Sequence, residues 1–357
     1  MGRRLRFIPE NDDGVLVEVS CRTIRGLALL RPSRRMREIT VGVLGRAREV
    51  SPLEICAISC LSNHYHALLV VRDQQELTRF MHHFQCNLAR EVGRHVQWHG
   101  PVWSRRYDGL VVTDEPEAQW ARLKYVLSNS VKEGLVESPL EWRGAHSAAA
   151  LVHGEPMEGY WWNRTKEWAA ERRGETFGTY DYATRYLVEL APLPCFRHLS
   201  AEEYQDRVAE LIREIEEEGR QARGDRPVLG VEAAARQDPF EPPTYKTSKS
   251  PRRHFHGGSK ERLRELHEEY AAFDAAFEVA SEALRSGNLE AAAWFPEGSF
   301  PPALPFIGEP PPPCPPAPPS PRRTVTASGR IEVGEIPTVL VPARPGDGPP
   351  RVRGRPP

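Results

Sequence analysis

The stretch Ser62-Asn63-His64-Tyr65-His66-Ala67-Leu68-Leu69-Val70-Val71 constrains the fold of this 357-residue chain more than any other. A β-branched and leucine run entered through Ser62-Asn63 reads as a strand. Side chains on a strand alternate between faces, so His64 and His66 share one face and Tyr65 takes the other. Leu53–Leu61, just before it, is a second apolar run, so the two strands form an antiparallel hairpin across a tight turn. Two parallel imidazoles supply half of a metal site. They equally suit a pair of structural histidines, and the spacing alone leaves both readings open.

The flanking chain completes a recognisable order. Val15–Cys21, after Asp13-Gly14, reads as a first strand. Arg34–Val50 places Met36, Ile39, Val43 and Ala47 on one helical stripe. Asp73–Val96 repeats that pattern with Leu77, Phe80, Met81, Phe84, Leu88 and Val92, and Gly100-Pro101 ends it. Val102–Val112 reads as a fourth strand. Asp114-Glu115-Pro116 opens a helix expected to run to Glu133 and stop at Gly134. The order is β-α-β-β-α-β-α. Its first six elements are those of an α+β, ferredoxin-like fold, an antiparallel sheet with helices on one face.

Residues 1–150 therefore form a first domain. Residues 151–194 form a connecting segment whose Tyr160-Trp161-Trp162 and Trp168 suit a flap packed on the core. Residues 195–307 read as a mainly helical extension, with helices over Ser200–Arg223 and Ser259–Ser286 and a basic linker, Lys246–His256, between them. Ser200 and Glu203 have the spacing of a capping box. The tail, 308–357, is proline-rich with little to bury and is expected to be disordered.

Composition narrows the function classes. The whole chain carries 48 Lys+Arg against 49 Asp+Glu, which excludes a polycation. Residues 1–150 hold a small cationic excess, 21 against 17, nearly all of it arginine. Arginine suits phosphate recognition, although such an excess also serves solubility. Six cysteines with no CxxC pair argue for reduced thiols in the cytoplasm rather than a secreted disulfide framework. No apolar run reaches the roughly 20 residues that span a bilayer, and no signal peptide is expected.

The last helix of the first region adds the chemistry. On a helical wheel Trp120, Leu123, Leu127 and Val131 form a packing stripe. Tyr125, Asn129, Arg122 and Lys132 form a separate polar face, with Tyr125 and Asn129 as i, i+4 neighbours. Alone, this is a solvated face with an exposed tyrosine. Placed beside the hairpin, an Asn129 amide oxygen joins His64 and His66 around Mg²⁺ or Mn²⁺ with positions left open for a phosphate oxygen. Tyr125 then stands in reach of that phosphate as a nucleophile. The difficulty is that the wheel turns Tyr125 away from the apolar stripe.

These residues carry a resemblance. Asn63-His64-Tyr65-His66-Ala67-Leu68-Leu69-Val70 resembles the HUH motif of single-tyrosine transposases, in which U is a bulky residue. Trp103-Ser104-Arg105-Arg106-Tyr107, followed by Leu110-Val111-Val112, resembles their fourth strand. The segment from Leu123 to Val136 looks like their nucleophile helix. The likeness covers roughly residues 5–147 and is closest to the branch associated with repetitive extragenic palindromes. That branch usually reads Asn-Pro where this chain has Asn129-Ser130.

The resemblance implies a transposase and endonuclease acting on single-stranded or hairpin DNA. Tyr125 would attack a phosphodiester, form a 5′-phosphotyrosine link and release a 3′-hydroxyl; His64, His66 and Asn129 would hold the divalent ion. Arg105, Arg106, Arg122 and Lys132 would meet DNA phosphates, and Trp103 and Tyr107 would stack bases or pack in the core. A cytoplasmic, nucleoid-associated protein is implied, as a monomer or homodimer. The alternative is a domesticated hairpin-binding protein that no longer cleaves. An RNA-binding ferredoxin-like module needs exposed aromatics and glycines on its central strands, which His64-Tyr65-His66 supplies poorly.

Overall fold

The alternation along the first strand decides the layering. In the computed structural model, which describes residues 7–9, 11, 13–244, 254–299, 301 and 336–344, β1 spans Val15–Arg22. Val15, Val17, Val19 and Cys21 enter one hydrophobic core, while Leu16 enters a second core on the opposite face. Helix α1 (Arg34–Val50) starts at Ser33, whose hydroxyl accepts the Met36 N–H. Strands β2 (Glu54–Cys60) and β3 (His64–Val71) form the expected antiparallel hairpin. Helix α2 (Gln74–Val96) is capped by Asp73, and β4 (Asp108–Val112) follows. The sheet order is β2-β3-β1-β4, with antiparallel pairing throughout these four.

The fourth strand is shorter than expected. The β1–β4 ladder ends at Ser20 and Asp108, and residues 102–104 meet the chain beyond β1 only in an isolated antiparallel bridge, Thr23 with Trp103: Ile24 N–H donates to the Val102 carbonyl, and Ser104 N–H to that of Arg22. The expectation of helices on one face is also corrected. Met36, Ile39 and Val43 of α1 and Phe80, Met81 and Phe84 of α2 pack on the β1 odd-numbered face. The opposite face is covered too, by α3 (Pro116–Leu127) and α4 (Asn129–Lys132), with Leu123, Val126, Leu127 and Val131 buried there. The single long helix expected to Glu133 thus breaks once at Ser128, whose hydroxyl donates to the Tyr125 carbonyl and competes with the helical ladder. Gly134 follows with φ +65°, the left-handed value that makes glycine the stop signal.

Beyond α5 (Ala148–His153), β5 (Met157–Trp162) and β6 (Ala183–Val188) flank α6 (Arg164–Arg172) and pair as an antiparallel ribbon against α1. Of the aromatics expected to pack on the core, Trp162 is fully buried, with the Arg35 guanidinium 3.6 Å from its ring centre, and Tyr160 and Trp161 are partly buried, whereas Trp168 on α6 is 56% exposed. Helix α7 (Ala201–Arg223) opens with the Ser200–Glu203 capping box. It lays Tyr204, Val208, Leu211, Ile212 and Ile215 into the second core beside α3. After α8 (Val231–Arg236), the two-residue β7 (Phe255–His256) pairs parallel to β4. Helix α9 (Lys260–Arg285) follows.

Of the basic linker, residues 246–253 lie outside the described residues, as do 308–335 and 345–357 of the tail. Within the tail, however, Thr338–Val341 forms β8, parallel to β6. Its Val339-Leu340-Val341 run has the β-branched composition of a strand, so disorder is not the state of the whole tail. Among the described residues no helix is long and apolar enough to cross a membrane.

The contact of α1 with β5 is backbone on backbone. A Cβ added at Gly42 would stand 1.9 Å from the Tyr160 carbonyl oxygen, and one at Gly159 would stand 2.3 Å from the Gly42 nitrogen. Neither neighbour is a flexible side-chain end. Gly42→Ala should therefore force α1 off the ribbon and lower stability by about 1–3 kcal/mol, the usual cost of overpacking. An unchanged denaturation midpoint would contradict this close approach.

Candidate metal and nucleophile site

Strand register places His64 and His66 on the α3 side of the sheet. His66 stands opposite Ser20 of β1 and Ser59 of β2, and His64 opposite Arg22. The two rings lie edge to face with centres 5.2 Å apart. His64 is 8% exposed. Burial, then the neighbouring His66 and Arg22 charges, pushes its pKa down to about 3, so the ring is neutral at physiological pH, as a metal ligand must be.

Hydrogen bonding selects one tautomer on each ring. Nδ1 of His64 lies 2.7 Å from Asn63 Oδ1, and Nδ1 of His66 lies 2.6 Å from Glu18 Oε1. Both partners accept, so both Nδ1 atoms carry the proton and each Nε2 keeps a lone pair. Carboxylate or amide oxygens behind a ring in this way orient it for a metal and raise its basicity.

Helix α3 and the turn after it bring the second half. Asn129 is 5% exposed, and its amide nitrogen stands 3.2 Å from His64 Nε2. Turning that amide over presents Oδ1 in the same place. The Tyr125 ring meets the His66 ring edge to face, with centres 5.5 Å apart. Arg122 lies over the Tyr125 ring at 4.0 Å and Lys132 at 4.8 Å. Burial raises the Tyr125 pKa, with Glu18 adding to it and Arg122 opposing in part, so the resting phenol is protonated.

The odd face of the helix reaches the histidines because the apolar stripe is shared with α7. Trp120 packs on Phe196 and Tyr204, Val131 lies against Gly219, and Lys124 pairs with Glu214 and Glu218. On the sheet side, Arg122 reaches Glu18 of β1 and Asn129 reaches His64 of β3.

Of the sequence-derived residues, His64, His66, Tyr125, Asn129, Arg122 and Lys132 come together. The others do not. Trp103 packs edge-on against Tyr65, on the far side of the sheet, and donates its indole N–H to the Gln85 carbonyl. Tyr107 is buried in the same core. Of the two roles expected for these rings, packing is the one Tyr107 has, and Trp103 is partly buried against the same core. Arg105 pairs with Asp108, and Arg106 lies 5.4 Å from the Tyr107 ring centre.

Glu18 and Asn63 were not singled out by sequence, nor was His146. A lone acid inside the apolar strand Val15–Cys21 was the available signal for Glu18. Its pKa is lowered because the His66 and Arg122 contacts outweigh the upward push of burial. Among the described residues, no group of three His, Cys, Asp or Glu is arranged to hold a metal ion. The side-chain amide that stands beside His64 is that of Asn129. Two imidazole nitrogens and one amide oxygen fit Mn²⁺ better than the strongly oxygen-preferring Mg²⁺.

Among solved structures, the chain is similar to a REP-associated tyrosine transposase bound to a REP hairpin, at 17% identity, over 43% of this chain and 86% of that one, with a TM-score of 0.34. It is also similar to a crystal structure described as a "putative transposase" from Deinococcus radiodurans R1, at 18% identity, over 34% and 95% of the two chains, with a TM-score of 0.25. No protein-family model and no curated protein matches the chain.

His146 backs the site from the β2 edge, bridging to Ser59, and its Nδ1 accepts the Ala148 N–H at 3.2 Å. Burial pushes its pKa down to about 4, against a smaller upward pull from the Leu127 backbone. A histidine lowered on folding binds protons more readily when unfolded. Its contribution is therefore complete above the ordinary value of 6.5 and is lost as pH falls toward 4. The stability difference between wild type and His146→Asn should shift by about 3 kcal/mol against wild type across that window. A pH-independent difference in denaturant titrations would refute the assignment.

Proposed function

We propose that this chain is a metal-dependent tyrosine transposase and endonuclease that cleaves and rejoins single-stranded or hairpin DNA. One observation carries the reading: the pair of Nε2 lone pairs on β3, an amide on α4 and a tyrosine on α3 converge from segments some sixty residues apart. The strand order β2-β3-β1-β4, with α1 and α2 as crossovers, supports a ferredoxin-like topology for residues 1–150.

In this reading His64 Nε2, His66 Nε2 and Asn129 Oδ1 hold Mn²⁺ or Mg²⁺, while Asn63 and Glu18 keep the two rings in the ligating tautomer. The bound ion supplies Lewis-acid polarisation of the scissile phosphate. Tyr125 Oη attacks phosphorus, and its proton passes through solvent to the departing 3′ oxygen. The bond from phosphorus to the 3′ oxygen breaks, that oxygen leaves as a 3′-hydroxyl, and a 5′-phosphotyrosine remains. Arg122, over the ring, favours the phenolate that develops during attack. Attack by another 3′-hydroxyl reverses the step and joins strands without ATP. Arg105 and Arg106 are exposed or partly exposed and serve as phosphate contacts.

Incubation of the protein with hairpin-containing single-stranded DNA should yield a covalent adduct on a denaturing gel. More adduct is expected with Mn²⁺ than with Mg²⁺, and none with chelator. Tyr125→Phe should abolish it entirely. Normal cleavage by Tyr125→Phe would remove the nucleophile assignment. Hairpin binding without any wild-type adduct would leave the chain a binding protein.

A further inference from the structure

The row of side chains across the sheet at Glu18 is otherwise apolar. Glu18 stands between Leu110 of β4 and Leu68 of β3, which in turn pairs with Ala57 of β2. A leucine would complete this row, and a buried carboxylate is costly unless fully partnered. Glu18 is 3% exposed, and both of its oxygens are engaged on the site side. Oε1 lies 2.6 Å from His66 Nδ1. Oε2 takes the Arg122 guanidinium, which reaches across from α3. Arg122 is three residues before Tyr125 and lies over its ring at 4.0 Å. An acid that breaks the local apolar pattern while joining two functional halves marks a position kept for function.

We propose that Glu18 is a positioning residue that couples the histidine pair to the helix bearing Tyr125. Its Oε1 holds His66 with the proton on Nδ1 and the lone pair on Nε2. Its Oε2 fixes Arg122 and so sets the register of α3 against β3. Arg122 is thereby a second positioning group rather than a phosphate contact alone. One carboxylate sets both the metal ligand and the nucleophile, and a change on either side reaches the other through it. The inference rests on the reading of His66 as a metal ligand.

The test uses the full chain. Long-range ¹H–¹⁵N spectra of metal-free wild type should find His66 in the Nδ1–H tautomer; an Nε2–H tautomer overturns the proposal without any variant having to fold. Mn²⁺ titration followed by electron paramagnetic resonance should show Glu18→Leu binding about 10–100-fold more weakly than wild type, as expected for loss of a ligand's hydrogen-bonded partner. Arg122→Gln should also weaken Mn²⁺ binding, by less, and add nothing in the Glu18→Leu background, because the two act through one carboxylate. A residue that only stabilised the fold would lower the melting temperature without moving the tautomer or this non-additivity. Wild-type affinity in Glu18→Leu, or in Arg122→Gln, sinks the coupling alone. A wild-type protein that binds no Mn²⁺ sinks the metal reading and the coupling with it.

Discussion

The position of α3, wedged between the sheet and α7, is the constraint on which the candidate site depends. A helix lying on a sheet normally turns its most apolar side to the strands. Here Trp120 and Val131 pack toward Phe196, Tyr204 and Gly219. Lys124 adds ion pairs with Glu214 and Glu218, which are exposed and worth little individually. Burial of Tyr204, Val208, Leu211 and Ile215 in the same core stabilises the contact more. With part of the stripe on α7, Arg122 and Asn129 meet the strands at Glu18 and His64. The C-terminal extension thus packs on the side of α3 away from the histidines, where Trp120 and Val131 lie.

The second constraint is polar. His64, Asn129 and Glu18 are all under a tenth exposed, beside a largely apolar core. Such groups are tolerated only when their hydrogen bonds are made. The bonds made here are directional: acceptors behind each ring leave the lone pairs in front. In the proposed reading, the same contacts that satisfy the buried groups also prepare them as ligands. Tyr125 differs, being only half-buried between His66, Arg122 and Lys132.

Much of this was legible in the residues. The His64–Val71 strand, the Arg34–Val50 helix and the Ser200–Glu203 cap follow from local rules, and the structure has them at those positions. The face shared by His64 and His66 follows from strand alternation. What local rules could not supply was long-range. The wheel made Tyr125 look misdirected because the partner of its apolar stripe lies some eighty residues further on. Trp103 and Tyr107 were open to either stacking or packing because their partners, Tyr65 and Gln85 for Trp103 and the sheet core for Tyr107, are distant in sequence. The tail's composition hid β8, since four strand-forming residues beyond a proline-rich stretch carry little periodic signal. Glu18 was visible only as an exception to its strand's pattern, and its partners come from β3 and α3.

Strand β3 and the helices of the opposite face, in this reading, converge on one divalent-cation site beside Tyr125. Anomalous scattering from crystals of the full chain grown with Mn²⁺ tests that convergence most directly. The expected result is a single strong peak bonded to His64 Nε2, His66 Nε2 and Asn129 Oδ1, with the Asn129 amide turned over and the Glu18–His66 bond retained. Crystals with no peak there, or with Mn²⁺ bound elsewhere and the Asn129 amide nitrogen still on His64 Nε2, would contradict it.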